Sequence, residues 1–201
     1  MFKKAIVHYL CVAAIALSAA LSSCNKDNDE YIISGVITGE HASWSELSVS
    51  FDFRRSWAAT TKITDGKFKI KLPTPGADIL ETFDVEYPEV ANISDHRAKG
   101  AVATFWARNG SEAEMLGLIS VQIFPPAIVA ANYLYADRKV NVEGAFEDTE
   151  GAMPVSATVD LKLNKGWNTV VTAIETTPGA LKTSSKTAPA PSGSIWVAFS
   201  L

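Results

Sequence analysis

Few side chains in this 201-residue sequence have chemistry beyond packing. Its two cysteines, Cys11 and Cys24, both fall within the first 24 residues. Cys24, after Leu21-Ser22-Ser23, is the one thiol beyond the apolar stretch that opens the chain. Of three histidines, only His41 and His96 lie beyond the leader, too few for a three-histidine zinc site. Asp95 precedes His96, but neighbours in a strand point to opposite faces, and no Gly-x-Ser-x-Gly elbow accompanies them. Ser94-Asp95-His96-Arg97 is expected to be a polar turn with an exposed histidine. Glu147, Asp148 and Glu150 offer oxygens of the kind calcium takes, and Asp84 and Glu86 share a face of an extended segment, roughly 7 Å apart. Glycosidase carboxylates have similar spacing but flank a cleft from different strands. Solvated loop charge accounts for both sets. No metal site, cofactor or catalytic residue is expected, because no HExxH, phosphate-cradling glycine loop or dinucleotide fingerprint is present.

Tryptophan is the richer signal. Trp57 shares strand parity with Ile63, and Trp106 with Val102, which predicts core positions for both. Trp167 follows a turn and is expected to plug an end of the fold. Trp44 and Trp196 fall opposite the apolar residues of their strands, away from Phe51 and Phe199, and are the candidate ligand-stacking residues. An exposed indole offers a flat apolar surface to a sugar ring or partner protein. The plainer alternative is that a second element covers that face.

The elements that must position these residues are strands. Leu47, Val49, Phe51 and Phe53 alternate with polar residues. So do Phe68, Ile70 and Leu72, then Val140, Val142 and Phe146, then Val155 to Leu163, and Ile195 to Leu201 alternates likewise. Period two predicts half-buried antiparallel strands. Weaker candidates lie at 32–38, 57–64, 101–108, 116–124, 131–137 and 167–175. Asp65-Gly66 predicts a two-residue type I′ hairpin, and Asn164-Lys165-Gly166 a three-residue hairpin. Lys182 to Gly193 is expected to be a long polar loop. Lys67, Lys69 and Lys71, with Lys62 across the hairpin, form a basic stripe of the kind that guards an edge strand against pairing. The predicted fold class is an all-β, antiparallel β-sandwich of about ten or eleven strands, Ig-like or transthyretin-like. It spans 31–201, with a two-lobed alternative dividing near 90–100.

Composition agrees with a globular body behind an apolar leader: 47% hydrophobic, 20% charged, net charge -4. The acidic balance argues against nucleic acid as a partner, since phosphate binding needs a concentrated positive field. Lys3 and Lys4 followed by the apolar stretch Ala5–Leu21 describe a secretory signal over 1–23 rather than a membrane span. Leu21-Ser22-Ser23-Cys24 resembles the lipobox of bacterial lipoproteins, which implies cleavage before Cys24 and acylation there, firm enough to anchor the chain. Asn25-Lys26-Asp27-Asn28-Asp29-Glu30, within the 24–30 tether, resembles the acidic export tag of Bacteroidota surface lipoproteins. Tyr135–Gly144 and Leu163–Asn168 also look like segments of such lipoproteins. Ile33–Gly39 with Thr61–Pro73 resembles the opening of carboxypeptidase-regulatory or transthyretin-like modules.

These features predict a protein lipid-anchored at the outer membrane, with the acidic run adding exposure at the cell surface. The expected role is binding or structural, toward polysaccharide or as accessory to a surface protein complex. The alternative is a surface hydrolase with a site assembled from carboxylates and His96.

Overall fold

Among the described residues, each alternating run of the sequence carries a strand. The computed structural model describes residues 31–51, 56–83, 91–122, 127–148, 154–177 and 179–199. The strands are β1 (Tyr31–Val36), β2 (Glu46–Ser50), β3 (Trp57–Lys62), β4 (Lys67–Leu72), β5 (Glu81–Thr82), β6 (Ala91–Ile93) and β7 (Lys99–Asn109). They continue as β8 (Glu112–Gln122), β9 (Ala127–Ala136), β10 (Val140–Asp148), β11 (Val155–Leu163), β12 (Gly166–Thr177), β13 (Ala180–Thr187) and β14 (Ile195–Phe199). A 3₁₀ turn, Glu40–Ser43, separates β1 from β2. The fold is all-β and sandwich-like. Fourteen strands exceed the expected ten or eleven. The additional ones, β5, β6 and β13, are very short or polar.

β1 and β4 form a two-stranded antiparallel ribbon. The others form one large sheet in the order β3-β2-β7-β8-β9-β12-β13-β11-β10-β6, with β14 beside β8 and β5 beside β7. At the Asp65-Gly66 turn both residues have positive φ, 51° and 73°, as a type I′ turn requires. Thr64 and Lys67 exchange both backbone hydrogen bonds at 2.9 Å. Past that pair the strands part, β3 to β2 and β4 to β1. The turn is therefore a corner between the two layers. At the other end, Ile37 bridges Trp196 in parallel, and Thr38 N–H donates to the Trp196 carbonyl at 3.2 Å. The pairings β3-β2-β7-β8-β14-β1-β4 thus close into a ring.

That ring encloses the first core, which includes Leu47, Val49, Phe68, Ile70, Leu72, Phe105, Leu116, Leu118, Tyr133 and Trp196. A second core of Phe83, Ile93, Leu134, Val140, Val142, Leu161, Leu163 and Val170 lies beyond β9. β9 serves both: Ala131 and Tyr133 face the first core, Leu134 and Ala136 the second.

Two details depart from the antiparallel expectation. The first half of the stretch expected to be a loop, Lys182 to Thr187, belongs to β13, which pairs antiparallel with β12 and parallel with β11. Its Leu-Lys-Thr-Ser-Ser-Lys-Thr sequence lacks apolar alternation. Between two strands, though, its backbone groups are paired on both sides, which the polar side chains cannot disturb. Because β13 lies between β11 and β12, Asn164-Lys165-Gly166 is not a hairpin turn. Gly166 does take a positive φ, 96°. Buried Asn168 ties the connection: its Oδ1 accepts from Asn164 N–H at 2.9 Å, and its Nδ2 donates to the carbonyls of Asn164 and Gly166 at 2.8 and 2.9 Å.

Candidate ligand-binding groove

The tryptophans divide differently from their strand parity. Trp196, a candidate stacking residue, is 3% exposed and belongs to the first core. Its indole meets Phe68, Phe105 and Tyr133 at centroid distances of 5.3, 4.9 and 6.5 Å. β14 is apolar on both faces, so alternation alone could not choose its inner face. The face carrying Trp196 and Ala198 turned inward, leaving Ile195 44% exposed. Burying an indole among three rings gains more than burying an isoleucine. Trp44, the other candidate, precedes β2 and closes the 3₁₀ turn. It is half-buried against the first core, with its ring 4.6 Å from the His41 ring. Neither indole therefore projects from an open sheet face.

Trp57 moved the other way. β2 and β3 pair as Val49 with Ala59, but then as Ser50 with Trp57, so the register slips by one residue between them. A bulge of one residue reverses which side chains face the core. Trp57 consequently shares the outer face with Ser48, Ser50 and Trp106. There the Trp106 indole, 2% exposed, donates to Ser50 Oγ at 3.1 Å and meets the Trp57 ring edge-on at 6.2 Å. The Arg108 guanidinium lies 4.9 Å over the Trp57 ring, itself held by Glu46 at 3.3 Å and by Ser48 Oγ at 3.3 Å. Trp57 is half-buried, with Trp106 and Arg108 against its ring.

Next to it, a half-open groove of about 290 Å³ runs between the start of β3 and the segment 73–79. Phe51, Trp57, Pro73 and Ile79 supply apolar lining, with Ser56, Thr74 and Asp78 at polar positions. Trp167 supports it from behind: its ring packs 5.6 Å from Phe51, and its indole N–H donates to the Pro73 carbonyl at 3.3 Å. The volume lies at the lower end of the ~300–1,000 Å³ of small-molecule sites. Such a groove can cradle a flat ring or one residue of a longer chain but cannot enclose it. No sequence signal pointed to this groove, because the bulge that turns Trp57 outward is not written in the apolar pattern.

The candidate chemical groups are dispersed. Asp95 and His96 lie in a turn with His96 in solvent. Hydrogen bonds from the Arg97 side chain and backbone N–H hold the Asp95 carboxyl below its ordinary value, and Arg138 approaches it at 3.7 Å. Burial acts to raise Asp137, but bonds from the Arg138 side chain and the Lys99 N–H outweigh it and leave the carboxyl lowered. These carboxylates are occupied as arginine partners, which suits a structural clasp between the turn and the β9–β10 connection. The close histidine–carboxylate pair is elsewhere. His41 Nε2, 8% exposed as a residue, lies 2.8 Å from Glu114 Oε2, locking the 3₁₀ turn onto β8. The nearest serines in sequence are engaged: Ser43 donates to the Glu40 carbonyl, and Ser45 to that of Arg108.

Among the described residues, no group of three or more His, Cys, Asp or Glu side chains could hold a metal ion. Glu147 is exposed near the end of β10. Cys24, Asp84, Glu86 and Glu150 lie outside the described residues. Comparison with family models, curated proteins and solved structures finds no match for this chain.

Proposed function

We propose that the chain is a lipid-anchored outer-membrane protein, attached through Cys24, that binds carbohydrate in the groove beside Trp57. The supporting observation is that Trp57, half-buried with Arg108 over its ring and Trp106 against its edge, lines an aromatic groove together with Phe51. A rigid aromatic surface binds a sugar ring with little ordering cost, and hydroxyl and carboxylate neighbours can accept and donate at its rim. Anchorage is supported by the Leu21–Cys24 box and by the absence of any other cysteine beyond the leader.

Screening bacterial and host polysaccharides by tryptophan fluorescence and calorimetry tests the groove. The Trp57→Ala protein should lose at least tenfold in affinity for any glycan bound by the wild type, with an unchanged fold by circular dichroism. Binding that survives Trp57→Ala removes the groove from the proposal. Glycan cleavage that is lost in His96→Ala but kept in Trp57→Ala would establish the hydrolase instead. Anchorage is tested separately by Cys24→Ser, which should leave uncleaved precursor or move the product to the soluble fraction.

A further inference from the structure

Resting on the lipid anchor proposed above, we infer that the outer face of the β1–β4 ribbon lies on an anionic lipid surface. Its register sets Ile32 opposite Lys71, Ser34 opposite Lys69 and Val36 opposite Lys67. The alternate residues Ile33, Phe68, Ile70 and Leu72 are buried in the first core. Every lysine of β4 therefore shares one solvent face with two aliphatic side chains, Ile32 at 44% and Val36 at 36% exposure. Ammonium groups on long stems beside exposed aliphatics match the boundary between phosphate headgroups and acyl chains.

The position in the chain makes the same selection. From Cys24 to Tyr31 the chain can extend to at most about 25 Å, so β1 stays close to any bilayer holding Cys24. Beyond Lys3 and Lys4 of the leader the chain carries 16 basic against 22 acidic groups. An anionic surface repels such a body in most orientations and attracts it through this ribbon. The tether, with Asp27, Asp29 and Glu30 against Lys26, opposes the attraction, which must then come from the strand face. Three lysines bind weakly alone, but a tether raises their effective concentration at the surface.

All described strands and both cores lie within 31–199, so a chain from Cys24 to Leu201 keeps every described contact and contains a single thiol. That thiol can be coupled to a maleimide lipid in phosphatidylcholine vesicles with or without phosphatidylglycerol. Amine labelling read by mass spectrometry should then slow roughly fivefold at Lys67 and Lys69 on the anionic vesicles only. High salt should abolish the protection, and Lys182 and Lys186 of β13 should label equally on both. The K67Q/K69Q variant should lose the vesicle-dependent protection of Lys71. Equal labelling on the two vesicle types, or protection already present in free solution, overturns the inference. So does self-association of K67Q/K69Q with vesicle labelling unaltered, which would make the lysines guards of a sheet edge. Chemical coupling makes these results independent of cellular lipidation. Failure of the anchor shows separately, as Cys24→Ser protein that fractionates like the wild type.

Discussion

Three rings and a glycine hold the Trp196 indole. Phe68, Phe105 and Tyr133 surround it, and Gly35 of β1 faces it so closely that an added Cβ would press into indole Nε1 and Cδ1. A glycine in a strand often marks such a close approach. Trp196→Ala should lower unfolding free energy by roughly 3–5 kcal/mol, measured by denaturant titration, because a large buried ring leaves a cavity. Gly35→Ala should destabilise by about 1–3 kcal/mol through overpacking. Adding Trp196→Phe should recover part of that loss, as the colliding five-membered ring is gone, and strict additivity of the two changes would contradict the packing described. Tyr133 brings a pH signature to the same cluster. Burial, with Tyr31 nearby, pushes its phenol well above the ordinary value. A phenol whose folded pKa is raised favours the native state below the unfolded pKa of ~10, and that contribution is lost progressively as pH rises above it. Melting temperature should therefore fall above pH ~10 in the wild type and fall less steeply in Tyr133→Phe. Equal slopes would show that the phenol does not govern the alkaline limb.

β12 departs from its preceding turn without a hairpin partner, and one side chain compensates. Asn168 supplies three hydrogen bonds to Asn164 and Gly166 where a neighbouring strand would otherwise satisfy the backbone. Removing it leaves partly buried groups unpaired, so Asn168→Ala should cost about 1–3 kcal/mol, while Asn164→Asp, which keeps the backbone groups, should cost far less. Similar losses for both would mean that the turn depends on residue 164 rather than on Asn168. This turn also shows what the sequence could and could not reveal. Asn-Lys-Gly announced a tight connection with glycine in the left-handed region, and that is present. That the strands on either side would separate to admit β13 depends on pairings between distant residues, such as Val155 with Leu181 and Ala157 with Thr183. Local pattern carries no record of them. The same limit applies to Trp57, displaced to the outer face by a bulge set by pairing with β2. Strands with one clearly apolar face, such as Phe68-Ile70-Leu72, were legible to the residue. β14, apolar on both faces, was legible as a strand but not in its orientation. The groove depends on all of these choices together, which is why only its aromatic ingredients were visible in advance.

At the scale of the whole molecule, two cores share their central strand. β9 presents Tyr133 to one core and Leu134 to the other, and β12 presents Trp167 to the first and Val170 to the second. Residues 127–136 and 166–175 pair along their full length, so neither core can lose this two-stranded spine and remain covered. β7 adds a second link: Phe105 lies in the first core, while its opening residues pair with β5 and with the β9 segment that flanks the second. Melting one core would expose apolar surface of the other at the ~25 cal/mol per Å² that drives folding, which favours joint loss. The tryptophans make this measurable. Trp44, Trp167 and Trp196 pack in or against the first core, Trp57 and Trp106 cover the outer face of β2, β3 and β7, and the second core contains none. Fluorescence thus reports the first half of the fold, whereas far-ultraviolet circular dichroism reports every strand. Urea unfolding of the chain from Asn25 to Leu201 should give coincident transitions by the two probes, with one midpoint and one slope. If dichroism retains a second transition after fluorescence is lost, the second core is an independent folding unit. The spine would then be a contact surface between two domains, and Leu134→Ala should lower the second midpoint while leaving the first unchanged.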